Sequence, residues 1–176
     1  MGSIHLITPE IKRLEARRDD ALVVFRFAEM RPLVGITGRI DWRLLGRLSD
    51  LVIDGFLTGE PDERLLFPLG GRLPQAYLLM LGLGSRDELD EGAYRAALER
   101  MFAAMDGLGV ESAALALPGR PEGATDTAAA IDGFIAAYDE IGGGRELAVI
   151  DSPGAHKAML PTIERWRLKK SVPPDA

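Results

Sequence analysis

Cysteine is missing from all 176 residues, which excludes disulfides and thiolate metal sites. A reducing compartment is the simplest home for such a chain, and a cytoplasmic location is expected. Histidine is almost missing too. His5 and His156 are far apart, and no H-x-x-x-H or H-E-x-x-H spacing occurs. No apolar run approaches the roughly 18 residues needed to cross a bilayer, so no membrane association is expected. The opening Met1-Gly2-Ser3-Ile4-His5 lacks the basic start and apolar stretch of a secretory signal. There is no tandem repeat, and no low-complexity tract longer than the alanines at 128–130.

What remains is an ordinary globular balance, 47% hydrophobic and 27% charged. The length suits one domain, expected over residues 1–170 with a frayed proline-rich tail at 171–176. The net charge of −6 favours solubility and weighs against non-specific nucleic-acid binding.

Residues 21–27 (A-L-V-V-F-R-F) read as a strand covered on both faces, since apolar residues run almost unbroken. Residues 3–8 suggest a shorter strand, and the charged stretch 9–20 a loop or short surface helix. Residues 32–38 (P-L-V-G-I-T-G) read as a glycine-punctuated loop. Asp41 is expected to cap one helix whose stripe is Leu44, Leu45, Leu48, Leu51 and Val52, stopping at Gly55. Residues 65–67 and 75–83 read as two strands joined through Gly70-Gly71.

A long amphipathic helix follows, with Tyr94, Leu98, Met101, Phe102 and Met105 on its apolar face. Ser85 and Glu88 have capping-box spacing at its start, with Asp87 or Asp90 as other candidates for the cap. Strands are expected at 113–117 and 147–150. Between them lie a polar loop, 119–127, and a helix with the stripe Ala128, Ile131, Phe134, Ile135, Tyr138 and Ile141. Ser152-Pro153 starts the last helix, which Pro161 is expected to interrupt. Alternating strands and helices, with one short-looped strand pair, predict an α/β fold: a three-layer α/β/α sandwich with a mixed, mostly parallel sheet.

The ordered series D-W-R-L-L-G-R-L-S at 41–49, L-L-F-P-L-G-G-R-L-P at 65–74, L-L-M-L-G-L-G-S-R-D-E-L at 78–89 and A-A-L-A-L-P at 113–118 resembles the N-terminal domain of leucyl aminopeptidases (the cytosol aminopeptidases). The resemblance covers 21–118, and element order extends it further. It implies a macrodomain-like fold. It also implies that hydrolysis belongs to a separate C-terminal domain, which holds two metal ions through carboxylates and a lysine. The signature N-T-D-A-E-G-R of that domain does not occur in these residues. In the family the N-terminal domain serves assembly into hexamers and, in some members, DNA binding. The expectation is therefore a non-catalytic module standing alone, without cofactor or metal. Its partner would be another copy of itself or a protein, such as a separate aminopeptidase catalytic chain.

Several residues are weighed as sites. A two-metal hydrolase needs converging carboxylates, whereas Asp87, Glu88, Asp90 and Glu91 cluster at a helix start, where the dipole favours them. His156 beside Asp151 and Ser152 imitates a triad but lacks a nucleophile elbow. Gly82, Gly84 and Ser85 lie between strand and helix, where free N–H groups hold anions. Gly35, Gly38 and the 119–127 loop are expected to line the same crevice. That gives the alternative reading, a binder of a nucleotide or an ADP-ribose-type ligand. Arg165, Trp166, Arg167, Lys169 and Lys170 form a basic cluster at a helix end, and Trp166 is expected either to pack back on the sheet or to lie exposed for self-association. Trp42 is expected as core or as an interface anchor.

Overall fold

Seven consecutive residues of β2 (Ala21–Phe27) are buried, and that strand lies in the interior of a six-stranded sheet. The computed structural model describes residues 2–171. The sheet order is β1 (Ser3–Ile7), β6 (Glu146–Ile150), β5 (Ser112–Leu115), β2, β4 (Tyr77–Gly84) and β3 (Arg64–Pro68). All neighbours pair in parallel except β3 with β4, which are antiparallel.

Each interior strand alternates its side chains between two helical layers, as the period of two requires. Val23, Phe25, Leu79, Leu81, Leu115 and Val149 meet α4 (Glu91–Leu108), α5 (Thr127–Ile141) and α6 (Pro153–Ser171). Leu22, Val24, Leu78, Met80, Ala114 and Ala148 meet α1 (Ile11–Glu15), α2 (Gly35–Arg43) and α3 (Arg47–Ile53). The result is the expected three-layer α/β/α sandwich. Of the tail expected at 171–176, Ser171 ends α6 and the rest lies outside the described residues.

Three local expectations are corrected. The stretch 35–43, read partly as a loop, is helix α2, and the single helix expected after Asp41 is two. The break falls at Leu45 and Gly46, both with positive φ (62° and 79°), so the chain reverses before α3. Asp41 therefore does not cap the helix it sits in. Its buried carboxylate accepts from the backbone N–H groups of Leu48 (2.8 Å) and Ser49 (3.2 Å) and from the Ser49 hydroxyl (2.5 Å), capping α3 from the preceding helix. Second, Asp90 rather than Ser85 caps α4, accepting from the Ala93 N–H at 2.8 Å, while Arg86–Glu88 form one 3₁₀ turn. Third, α6 runs unbroken through Pro161. Pro161 and Lys157 are both exposed, so water can reach the carbonyl that Pro161 leaves without a donor.

Candidate functional site

The parallel strands end together along one crest of the sheet, the natural place for a ligand in this architecture. The chain uses this crest on itself. The Gly82 N–H donates to the carbonyl of Glu63 (3.0 Å) and the Gly84 N–H to that of Gly59 (2.8 Å). A Cβ on Gly82 would run into the Glu60 carbonyl oxygen, and one on Gly84 would lie 2.9 Å from the Pro61 ring. The Arg86 N–H donates to the Glu29 carboxylate at 2.7 Å and holds that carboxyl below its ordinary range. The turn after β4 thus carries an anion, but one the chain supplies.

The crest is also tied across. Arg86 donates through Nη2 to the Glu122 carbonyl (3.0 Å), joining the loops after β4 and β5. Arg120 pairs with Asp151 (2.9 Å) and donates to the Thr125 carbonyl (2.7 Å), joining β5 to β6. Gly35 lies against Pro121, where a Cβ would come within 3.0 Å, and the Gly38 N–H is used by the Val34 carbonyl. The structure thus brings Gly35 to the 119–127 loop, as expected. It sets Gly82 and Gly84, with Ser85 following, against residues 59–63, a segment that sequence reading did not implicate. Beneath it Arg26 is buried in β2, its guanidinium donating to the carbonyls of Ala28 and Met30. Burial lowers its pKa, and the charges of Glu63 and Glu29 oppose that shift. Glu122 is the other unusual group: burial pushes its carboxyl up to about 7, against a smaller opposing effect from its own backbone N–H and Arg86.

The triad-like residues do not assemble. Asp151 is held by Arg120, and the Ser152 hydroxyl accepts from the Ala155 N–H as the cap of α6. The buried Nε2 of His156 has no hydrogen-bond partner among the described residues. His5 lies on the edge strand β1, beside the Ser3 hydroxyl (2.9 Å). Among the described residues, no group of three or more His, Asp and Glu side chains is placed to hold a metal ion. No helix there is long and apolar enough to cross a membrane.

The two tryptophans have opposite fates. Trp166 is 8% exposed, packs edge-on against Tyr138 (5.5 Å between ring centres) and donates to Asp139 at 2.8 Å. It packs on the fold, so the exposed reading is corrected. Its basic neighbours are partly used locally: Arg167 donates to the Ile4 carbonyl (2.6 Å), Lys170 pairs with Asp139 (3.0 Å), and Arg165 donates to the Thr162 hydroxyl (3.0 Å). Trp42 is instead 75% exposed, and it is not alone. Leu45 (70%), Ile53 (60%) and Phe56 (79%) are open in the same 42–56 stretch. Sequence reading placed Leu45 on the buried stripe. The signal that would have corrected it is Gly46, whose positive φ, with that of Leu45, swings the side chain outward.

Residues 21–140 match the family described as "Cytosol aminopeptidase family, N-terminal domain". A probable cytosol aminopeptidase of Methylobacillus flagellatus is 32% identical over 114 residues, 65% of this chain and 23% of that protein. One of Geotalea uraniireducens is 32% identical over 120 residues, 64% of this chain and 24% of that protein. The chain thus spans about a quarter of the length of these relatives. Among solved structures, an Oceanobacillus iheyensis macrodomain aligns with a TM-score of 0.73 at 10% identity, covering 96% of this chain and 90% of that one. A Trypanosoma brucei macrodomain in complex with ADP-ribose gives 0.69 at 18% identity, covering 91% and 68%. A tomato leucine aminopeptidase gives 0.63 at 15% identity, covering 93% and 36%. The fold is macrodomain-like, as the resemblance implied.

Proposed function

The chain belongs to the cytosol aminopeptidase family through that family's N-terminal domain, and on that basis we propose that it is a non-catalytic assembly module acting in the cytoplasm by self-association. The observation that carries this reading is the exposed apolar stretch Trp42, Leu45, Ile53 and Phe56. Monomeric proteins rarely leave several large apolar side chains open together, and aromatic anchors dominate association energies. Leu45 adds to the case, because a leucine held at φ 62° stores backbone strain of roughly 1–2 kcal/mol. Strain in an exposed residue is found where function uses the conformation. Peptide hydrolysis is not assigned to these residues, since none of their carboxylates converge as a two-metal site requires.

The test is molar mass by light scattering across a concentration series. The wild-type chain should assemble, and Trp42→Glu and Phe56→Asp should shift it toward monomer with an unchanged circular dichroism spectrum. A wild-type chain that stays monomeric throughout would refute the reading. Adding a separately produced aminopeptidase catalytic domain in the same experiment distinguishes a heterologous partner from a second copy.

The alternative, binding of a nucleotide or ADP-ribose-type ligand at the crest, has the fold in its favour. Likeness at 18% identity extends to fold alone, and the N–H groups of Gly82, Gly84 and Arg86 already have acceptors. A thermal-shift panel of nucleotides and ADP-ribose is expected to leave the melting temperature unmoved.

A further inference from the structure

On the opposite side of the sheet from Trp42, a surface groove of about 720 Å3 lies between α4 and α5. Its floor is apolar. Tyr94, whose hydroxyl is taken by the Ala130 carbonyl (2.7 Å), and the small residues Ala129, Gly133 and Ala136 make it. Gly133 lets the Tyr94 ring lie close against α5, since a Cβ there would meet the ring at 3.1 Å. The walls are acidic, with Asp90, Glu91, Glu99, Asp126, Asp132 and Glu140 set against one guanidinium, Arg95. Arg95 is itself shared between Glu99 (2.9 Å) and Glu140 (2.5 Å).

The Trp42 face carries an excess of the opposite charge. Arg43 and Arg72 line one hollow beside the indole, and Lys12 and Arg39, with the single carboxylate Glu10, line the other. Arg43 pairs with Glu15, whereas Lys12, Arg39 and Arg72 have no ion-pair partner among the described residues. In a chain of net charge −6 this cationic face is a matter of placement, not composition.

We infer that the α4–α5 groove of one copy is the acceptor for the Trp42 face of another, so that copies join head to tail. The inference rests on the self-association reading above and adds to it the surface on which Trp42 lands. Electrostatics selects this pairing over the symmetric ones. Two Trp42 faces brought together would oppose their arginines, and two grooves would oppose their carboxylates, whereas face on groove joins unlike charges. Because the two surfaces lie on opposite layers of the sandwich, one chain cannot satisfy both with a single partner. A heterologous contact of this kind closes into a ring or grows as a filament.

The experiment uses complementary charge reversals at exposed positions. Arg39→Glu/Arg72→Glu disables the donor face, and Asp132→Lys/Glu140→Lys disables the acceptor; neither pair includes a helix cap. Each variant alone should associate about 10- to 100-fold more weakly than wild type in sedimentation equilibrium. Mixed one to one, they should regain association in alternation, since the intact face meets the intact groove and the two reversed surfaces are complementary to each other. A chain carrying all four reversals should regain self-association. Ala136→Leu, which fills the groove without altering charge, should weaken association as well. If wild type assembles and the donor variant does not, while both groove variants assemble like wild type, the acceptor lies elsewhere. That result overturns this inference and leaves the assembly reading standing. A wild-type chain that is monomeric throughout overturns both.

Discussion

Replacing Asp41 by alanine should unsettle the fold at one definable place. Its carboxylate, 7% exposed, accepts from two backbone N–H groups and a hydroxyl at the start of α3. The residue at the cap position itself is Gly46, which has no side chain to offer. Loss of a helix cap costs about 0.5–2 kcal/mol. Stranding a buried donor, here the Leu48 N–H, adds roughly 1–3 kcal/mol where water does not reach it. Because Ser49 is half-buried and rehydrates more easily, a total of about 2–3 kcal/mol is expected. For a domain of this size that lowers the melting temperature by roughly 5–10 °C. Asp41→Asn keeps an acceptor oxygen on the same stem and should cost about 1 kcal/mol. Urea unfolding of the three proteins, followed by circular dichroism with a common slope, measures both values. If the alanine variant falls within about 0.5 kcal/mol of wild type, or the asparagine variant is equally damaged, the carboxylate does not hold α3 in the way its geometry indicates.

Glu122 makes stability depend on pH. Its folded carboxyl titrates at about 7 against about 4.3 in the unfolded chain, so the unfolded state releases its proton first as pH rises. The contribution of this residue to stability therefore falls between about pH 4.3 and 7 and is flat on either side. Glu122→Gln should remove that slope and be more stable than wild type by about 1–3 kcal/mol at pH 8, with little difference near pH 4, in parallel urea titrations. Gly82→Ala places a methyl group against the Glu60 carbonyl, and it should cost about 3 kcal/mol or prevent folding, as read by thermal denaturation. Trp166→Ala should cost about 3–5 kcal/mol because that ring is buried on α5, whereas Trp42→Ala should leave the melting temperature within about 1–2 °C of wild type.

How far the sequence reveals this molecule depends on the range of each interaction. β2 and β4 are legible because burial on both faces demands unbroken apolar residues, and α4 and α5 because their stripes repeat at 3.6. The caps Asp90 and Ser152 act within three residues, and local reading brackets the one and finds the other; Asp126 acts over the same range but lies in the stretch read only as the 119–127 loop. Asp41 acts seven and eight residues away across a reversal: local reading makes it the cap of the helix carrying Leu48, Leu51 and Val52, which it is, but starts that helix beside it instead of beyond Leu45 and Gly46. The glycines after β4 were legible as a turn. That residues 59–63 would fold back and take their N–H groups was not, because no short-range pattern encodes a partner some twenty residues distant. Likewise the groove between α4 and α5 arises from two separate helices, and only their packing places the six carboxylates along one channel.

The sealed crest and the open faces are connected. Three charged contacts along the crest join loops from different strands: Glu29 to Arg86, Arg86 to Glu122, Arg120 to Asp151. Freeing the N–H groups there for an external anion would break charge-assisted bonds and bare Arg26, and the ligand would have to exceed that cost before binding at all. No such debt attaches to the layer surfaces. Ile40, Leu44 and Leu48 already fill the space between α2, α3 and the sheet, so Trp42, three-quarters exposed, contributes little to that core. Removing its indole from water becomes favourable only against a second molecule, at about 25 cal/mol for each square ångström covered. The same holds for the floor beneath Asp132 and Glu140. Two apolar surfaces of opposite surrounding charge, on opposite layers of a domain whose strand ends are occupied by its own backbone and side chains, are what the proposed assembly through the helices rests on.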